Sequence, residues 1–161
     1  MVNDSSTNAI DLTNVTTIST ATSLEILEVI NNTNATFTTA PDYAVVVSDQ
    51  ISATNTNTIV SDTSGIVTAT VNPGTASALN GALVNASEPD ALTLTVTGTA
   101  AASDLTDLDA KTSVNIGASG VTTITGTQAE VAAINGLDGY AIPENKTRFG
   151  YQRPKELIQQ S

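Results

Sequence analysis

Residues 92–108 read Leu-Thr-Leu-Thr-Val-Thr-Gly-Thr-Ala-Ala-Ala-Ser-Asp-Leu-Thr-Asp-Leu, and this stretch decides the fold. In its first six residues apolar and hydroxyl side chains alternate with period two, which is typical of a strand with one buried face. After Gly98 the period changes, because Leu105 and Leu108 recur at the spacing of one helix face. The stretch therefore predicts a strand, a turn and a short helix. The side chains predicted to point inward from the strand are Leu92, Leu94 and Val96.

The same unit recurs along the chain. Val15-Thr-Thr-Ile-Ser-Thr matches Val121-Thr-Thr-Ile-Thr-Gly, and an apolar stretch with helical spacing follows each of them. Such recurrence at a fixed period is the signature of repeat architectures. Equivalent points lie 25 and 28 residues apart, except for one gap of 53 that we expect to hold a further, degenerate copy near Val46. These equivalent points are Ile18, Val71, Val96 and Ile124.

Helix starts and strand exits are also marked. Thr22 with Glu25, and Thr127 with Glu130, have the spacing of a capping box, in which the two side chains bond to each other's backbone N–H. Other predicted caps are Thr75 and the pair Ser103-Asp104, and the glycines predicted to mark strand exits are Gly74, Gly98 and Gly126.

Strands separated by a single crossover of this length are predicted to pair in parallel with right-handed connections. We therefore expect an α/β repeat, a parallel β-solenoid-like stack of about five coils, each with one strand and one short helix. The alternative is a compact parallel sheet with short crossover helices. The predicted organisation is a polar N-terminal cap (1–10), a repeat body (11–139) and a non-repetitive C-terminal arm (140–161).

Composition restricts the function. The 161 residues carry a formal net charge of −11, which argues against binding to nucleic-acid backbones. The chain has no Cys and no His, so zinc-thiolate sites, Cys nucleophiles and Ser-His-Asp triads are excluded. It also has no apolar run of about 18 residues and no secretion signal at its first residues. We expect a protein that is not an enzyme, needs no cofactor and does not enter a membrane.

The C-terminal arm carries most of the positive charge, since four of the five basic residues follow position 145. Arginine and aromatic side chains concentrate binding energy at protein interfaces. We therefore predict that the arm docks on a partner protein of a large assembly. The predicted partner-binding residues are Tyr140, Lys146, Arg148, Phe149, Tyr151, Arg153 and Lys155.

Two further groups of residues invite a chemical interpretation. Asp104, Asp107 and Asp109 are close enough in sequence to bind a divalent cation, but a solvated helix face is the favoured interpretation.

Outward threonines form Thr-x-Thr pairs that could build the regular hydroxyl array of an ice-binding solenoid, although threonine is also an ordinary surface residue of strands. Ice binding and carbohydrate binding remain distant alternatives. The three threonine pairs are Thr68 with Thr70, Thr93 with Thr95, and Thr123 with Thr125.

A family resemblance adds a biological setting. Thr97-Gly-Thr-Ala-Ala-Ala-Ser-Asp-Leu-Thr-Asp-Leu-Asp-Ala-Lys-Thr-Ser-Val and Val121-Thr-Thr-Ile-Thr-Gly-Thr-Gln-Ala-Glu-Val resemble Thr/Ala/Asp-rich repeats. Such repeats occur in very large cyanobacterial surface proteins and in structural proteins of phages that infect marine cyanobacteria. The resemblance covers roughly residues 10–137 and carries over no catalytic residue. It implies a structural role in a virion or at a cell surface.

From these observations we expect a phage virion protein, such as a decoration, knob or fibre-associated subunit, that the C-terminal arm anchors to the particle. The alternative is a cyanobacterial cell-surface adhesion module, which would be extracellular. A stack of coils has open ends with unpaired strands, so we also expect a homo-oligomer.

Overall fold

The computed structural model describes residues 10–32, 35–36 and 42–134. The strands are β1 (Ile10–Asp11), β2 (Thr17–Ala21), β3 (Ala35–Thr36), β4 (Ala44–Ile51), β5 (Val67–Val71), β6 (Ala91–Thr93), β7 (Thr95–Ala101) and β8 (Gly117–Thr125). The helices are α1 (Ser23–Ile30), α2 (Ala53–Asp62), α3 (Ala76–Ala82), α4 (Ala102–Asp109) and α5 (Gln128–Ile134). The described residues therefore form an α/β fold with short helices.

All strand pairings in the described residues are parallel. A four-stranded sheet has the order β2-β4-β5-β6, and β7-β8 and β1-β3 form two further parallel pairs. A single parallel bridge between Gly74 and Val96 extends the β5-β6 pairing into β7. The parallel pairing predicted from the crossover lengths is confirmed, and strand order in the sheet follows chain order.

A strand followed by a helix occurs five times, and each occurrence is here called a unit. The units begin at Thr17, Ala44, Val67, Ala91 and Gly117, so successive starts lie 23 to 27 residues apart. The degenerate copy expected near Val46 is present as β4 and α2, and α2 is the longest described helix with ten residues. In the fourth unit β6 and β7 are separated only by Leu94.

The core lies between the sheet and the helices. Alternate residues of β5 are buried, and the same alternation continues at Leu92, Leu94 and Val96, all three of which are fully buried as predicted. The helices contribute Ile26, Ile59, Leu79, Leu105, Leu108 and Ile134 to the same cluster. Because Tyr43 is the only aromatic residue among the described members of this core, valine, alanine, isoleucine and leucine fill the rest of that part.

The predicted helix starts are mostly confirmed. Thr22 and Glu25 form a complete capping box at α1, Thr127 and Glu130 make the same reciprocal bonds at α5, and Thr75 caps α3. The prediction for Ser103-Asp104 was wrong, since α4 begins at Ala102 and its N-cap is Ala101, which makes no side-chain bond. Strand β7 runs directly into α4, so the N-cap position falls on Ala101, whose side chain has no hydrogen-bond acceptor.

One predicted strand exit was also misplaced. Gly98 lies inside β7 with φ 75°, next to a register irregularity in the pairing with β8. Glycine takes this left-handed conformation readily because it has no Cβ. It therefore marks a bulge within the strand and not its end.

Two buried threonines join consecutive units. The Thr63 hydroxyl donates to the carbonyl oxygen of Tyr43 (2.7 Å) and accepts from the N–H of Gly65 (3.0 Å). The Thr112 hydroxyl donates to the carbonyl oxygen of Leu92 (2.8 Å), and it accepts from the N–H groups of Leu92 (2.9 Å) and Val114 (3.1 Å). Each threonine follows a helix and bonds to a residue twenty positions earlier, at the beginning of β4 for Thr63 and of β6 for Thr112.

Asp90, in the segment between the third and fourth units, also accepts hydrogen bonds from residues distant in sequence. Its carboxylate accepts from the N–H of Val67 (3.0 Å) at the start of β5 and from the N–H of Ser87 (3.3 Å). Its carbonyl oxygen accepts from the N–H of Ser113 (2.7 Å). Because Asp90 is buried, these bonds supply the partners that a carboxylate needs inside a protein.

Candidate functional site

The predicted partner-binding residues lie outside the described residues. They are Tyr140, Lys146, Arg148, Phe149, Tyr151, Arg153 and Lys155, all of which follow residue 134. Docking through this arm therefore stays a prediction. The described surfaces belong mainly to the five units.

Charge is unevenly distributed over the units. The described residues hold 12 of the 16 acidic side chains, whereas Lys111 is their one basic residue. Nearly all of these carboxylates lie on the helices or in the connecting segments. Within the strands of the five units, Asp49 in β4 is the one charged residue.

The geometry of β4 directs Asp49 toward a helix. The register between β4 and β5 is irregular between Val46 and Gln50, so the chain bulges at this point. One carboxylate oxygen of Asp49 accepts from the N–H of Ser23 (2.6 Å), and the other accepts from the Ser23 hydroxyl (2.9 Å). These two bonds, first from the backbone and then from the side chain, hold the pKa of Asp49 below its ordinary value.

Asp104 and Asp107 lie on α4 and contact the neighbouring helix α3. The Asn80 side-chain nitrogen donates to Asp104 (3.3 Å) and to Asp107 (3.2 Å), so one amide bridges two turns of α4. Within residues 10–32, 35–36 and 42–134, no group of three His, Cys, Asp or Glu side chains is placed to hold a metal ion. The arrangement supports contact between helices.

The outward face of the sheet is rich in hydroxyl groups. Thr68, Thr70 and Thr93 are exposed, and Thr95 is half-buried. Thr70 lies opposite Thr93 on the neighbouring strand, but Thr68 lies opposite Ala91 and Thr95 lies opposite Gly117. The predicted Thr-x-Thr pairs are therefore not aligned into continuous columns, because alanine and glycine interrupt them.

The third predicted pair lies in β8 and is less regular. Thr125 is exposed, but Thr123 is only half-buried, while the adjacent Thr122 is exposed. Buried residues in this strand are spaced by three at Val121 and Ile124, at the point where the pairing with β7 is irregular. The bulge shifts the alternation by one residue, so the inward and outward positions of β8 do not follow a strict period of two.

Two large apolar side chains also lie on the outward face. Val46 is 37% exposed and Ile66 is 46% exposed, whereas their chain neighbours Val45 and Val67 are fully buried. Val45 pairs with Val67 and Val46 pairs with Thr68, so Val46 in β4 is a diagonal neighbour of Ile66, the residue that precedes β5. Sequence reasoning missed this apolar pair, although the alternation in β5, continued one residue back, places Ile66 outward.

Comparison with known proteins gives no match. No protein-family model matches the chain, and neither the curated proteins nor the solved structures contain a significant similarity to it. The resemblance to the Thr/Ala/Asp-rich repeats consequently stays a prediction. Among the described helices, none combines the length and the apolar character needed to span a bilayer.

Proposed function

We propose that this chain is a non-catalytic structural protein of a phage virion, a decoration, knob or fibre-associated subunit whose repeat body projects from the particle. The observation that carries the proposal is the topology of the units. Their strands pair in parallel in chain order, and the buried residues of each unit join those of the next in one apolar cluster.

The contacts between helices favour a solenoid for this body. Helix α1 contacts α2, α2 contacts α3, α3 contacts α4, and α4 contacts α5. In a sheet with crossovers on alternating faces, consecutive helices would be separated by the sheet itself. Helices that all return on one side produce a stack in which each unit contacts its neighbours, which is the organisation of repeat proteins.

A solenoid of this composition suits a structural role. Its stability comes from a continuous apolar cluster and from the buried bonds of Thr63, Asp90 and Thr112 at the junctions of units. Its surface is acidic on the helices and hydroxyl-rich on the sheet. Neither surface carries the Cys or His chemistry on which many enzymes depend, since the chain contains no such residue.

Anchoring is assigned to the C-terminal arm, residues 140–161. The arm contributes four cationic side chains to a chain that otherwise has one, and it holds three of the five aromatic residues. A partner with an acidic or neutral surface and pockets for aromatic rings would match this composition. Other virion proteins are the proposed partners, and the virion is the proposed location.

Deleting residues 140–161 tests the proposal. The deletion variant and the full chain would be expressed during infection by the phage that encodes the gene, and purified particles would be assayed for the protein by mass spectrometry. We expect full incorporation of the wild type and loss of at least about tenfold for the deletion. The matched control is Lys111→Ala, which removes the one cation of the repeat body and should leave incorporation unchanged.

Two outcomes would contradict the proposal. Normal incorporation of the deletion variant would refute the anchoring role of the arm. Absence of the wild-type chain from purified particles would refute the virion assignment itself.

A further inference from the structure

The outward face of the four-stranded sheet is poorer in charge than the helices α1, α2, α4 and α5. We define this face by the outward residues Thr17, Ala44, Val46, Ile66, Thr68, Thr70, Ala91 and Thr93, and we call it the neutral face. In the four strands that form it, the one carboxylate is that of Asp49, and this carboxylate is bound to Ser23 at the start of α1. The helices α1, α2, α4 and α5 each carry at least one Asp or Glu.

We propose that the neutral face binds a second copy of this chain, face to face, with Val46 and Ile66 at the centre of the contact. This inference does not depend on the virion assignment. It concerns a different surface from the open ends of the stack, through which self-association is also expected.

Electrostatics favours this surface for self-association. The described residues carry 12 acidic side chains and one lysine, so a contact between the helix surfaces of two copies would bring like charges together. Like charges placed opposite each other across an interface are strongly unfavourable. Two neutral faces can meet without this repulsion.

The chemistry of the face is self-complementary. A threonine hydroxyl both donates and accepts hydrogen bonds, so threonines can pair with threonines of an identical surface. Val46 and Ile66 together supply an apolar centre, and a two-fold axis would place each apolar centre against its equivalent. Parallel sheets are generally covered on both faces, and here the described helices cover only one.

The size of the face sets the expected affinity. Four strands spaced by about 4.8 Å, with about five residues at 3.3 Å each, give a surface of roughly 15–20 Å on a side. A stable interface needs about 800 Å² of accessible surface per partner. Association through this face should therefore be weak and should depend on protein concentration.

Sedimentation of the full chain over a wide concentration range tests the proposal. We expect a monomer–dimer equilibrium that strengthens when salt is raised from about 0.05 to 0.5 M, because salt screens the remaining repulsion between two acidic chains. Ile66→Glu and Thr68→Glu place a carboxylate on the neutral face, and each should raise the dissociation constant at least about tenfold.

The controls add the same charge elsewhere. Leu24 is 70% exposed on α1 and Val84 is 64% exposed after α3, so Leu24→Glu and Val84→Glu should change the dissociation constant less than about twofold. Circular dichroism and thermal unfolding verify that each variant is folded. Thr68→Glu keeps the test decisive if Ile66→Glu fails to fold, because Thr68 is an exposed surface residue.

A wild type that stays monomeric at every concentration would overturn the proposal. A dimer that Ile66→Glu and Thr68→Glu weaken no more than the two helix-side controls would also overturn it, because it would place the contact at another surface.

Discussion

The turn after α2 and the turn after α4 use one solution with different residues. In both, a buried threonine donates to a carbonyl at the start of the preceding strand and accepts from the N–H two residues further on. That second residue is Gly65 in one turn and Val114 in the other. In both turns the threonine hydroxyl makes these two bonds, but the space for a side chain differs between Gly65 and Val114.

The difference has a steric cause. A Cβ at Gly65 would collide with the backbone carbonyl oxygens of Asp42 and Tyr43. The turn after α2 therefore lies directly against the residues that precede β4. Val114 is half-buried and carries a branched side chain in the same hydrogen-bonded position. The segment from α4 to Thr112 is two residues longer than the segment from α2 to Thr63, which gives the second turn a different path.

Exchanging these two residues should give the largest effect. Gly65→Val introduces a side chain where backbone atoms leave no room, and we expect it to lower the free energy of unfolding by about 3 kcal/mol or more. Val114→Gly removes a side chain without creating a clash and should lower it by about 1–2 kcal/mol. Urea unfolding of both variants measures the difference, and equal losses would contradict the steric account.

Removing either threonine hydroxyl should give the next largest effect. Thr63→Val and Thr112→Val keep the shape of the side chain but remove the hydroxyl to which buried backbone groups bond, which costs about 1–3 kcal/mol for each variant. The control is Thr70→Val, an exposed position on the neutral face, where the change should stay within about 0.5 kcal/mol. The account of the junctions fails if all three variants unfold at the same urea concentration.

Tyr43, whose carbonyl oxygen accepts from Thr63, allows a test with a smaller expected effect. The Tyr43 hydroxyl donates to the Asp62 carboxylate, whereas Leu92, its counterpart in the other junction, has no polar group. Tyr43→Phe should therefore lower the free energy of unfolding by about 1 kcal/mol. Unfolding measured at neutral pH checks this value, and no loss would show that the bond is replaced equally well by water.

The same tyrosine should make stability depend on alkaline pH. Burial, followed by the bond to Asp62, raises the pKa of Tyr43. The folded chain then holds this proton above about pH 10, where an unfolded tyrosine loses it, so the stabilisation is complete below pH 10 and declines as pH rises further. Comparing wild type with Tyr43→Phe between pH 9 and 11 measures the contribution, and parallel curves would contradict it.

Acid pH should leave both turns intact while it weakens α1 and α5, the first and last of the described helices, and this is the smallest expected effect. Hydrogen bonds from the backbone and side chains of Thr22 and Thr127 lower the pKa values of Glu25 and Glu130. A lowered folded pKa means that the stabilisation is present above the unfolded value of about 4.3 and is lost as pH falls through the folded value. The caps of the other helices use hydroxyls or no side chain and should not respond through this mechanism.

NMR spectra recorded from pH 6 to pH 2.5 would follow the amides of α1 and α5 beside those of Gly65 and Val114. Glu25→Gln and Glu130→Gln serve as controls that cannot titrate. Changes at the two turn amides before those of the helices would contradict the assignment.

Much of this architecture is readable in the local sequence. The alternation from Leu92 to Thr97 identified the inward residues, and the Thr-x-x-Glu spacing identified both capping boxes, because each signal depends on residues within one or two turns of chain. The errors at Ser103-Asp104 and Gly98 have a local cause as well. Strand β7 continues without a turn into α4, and a glycine in a bulge has the same sequence signature as a glycine at a strand end.

By itself, the sequence determined the parallel α/β class, the number of units and the absence of Cys and His chemistry, since composition and periodicity are properties of the chain alone. Only the tertiary structure decided which of the many threonines are buried partners, why residue 65 must be glycine, and that Asp49 bonds to Ser23 at the start of α1. These features depend on atoms about twenty or more residues apart that meet when one unit packs on the next. Thr63 and Thr112 resemble every other threonine in the sequence, and only the folded chain brings them to the backbone groups of Tyr43 and Leu92 to which they bond.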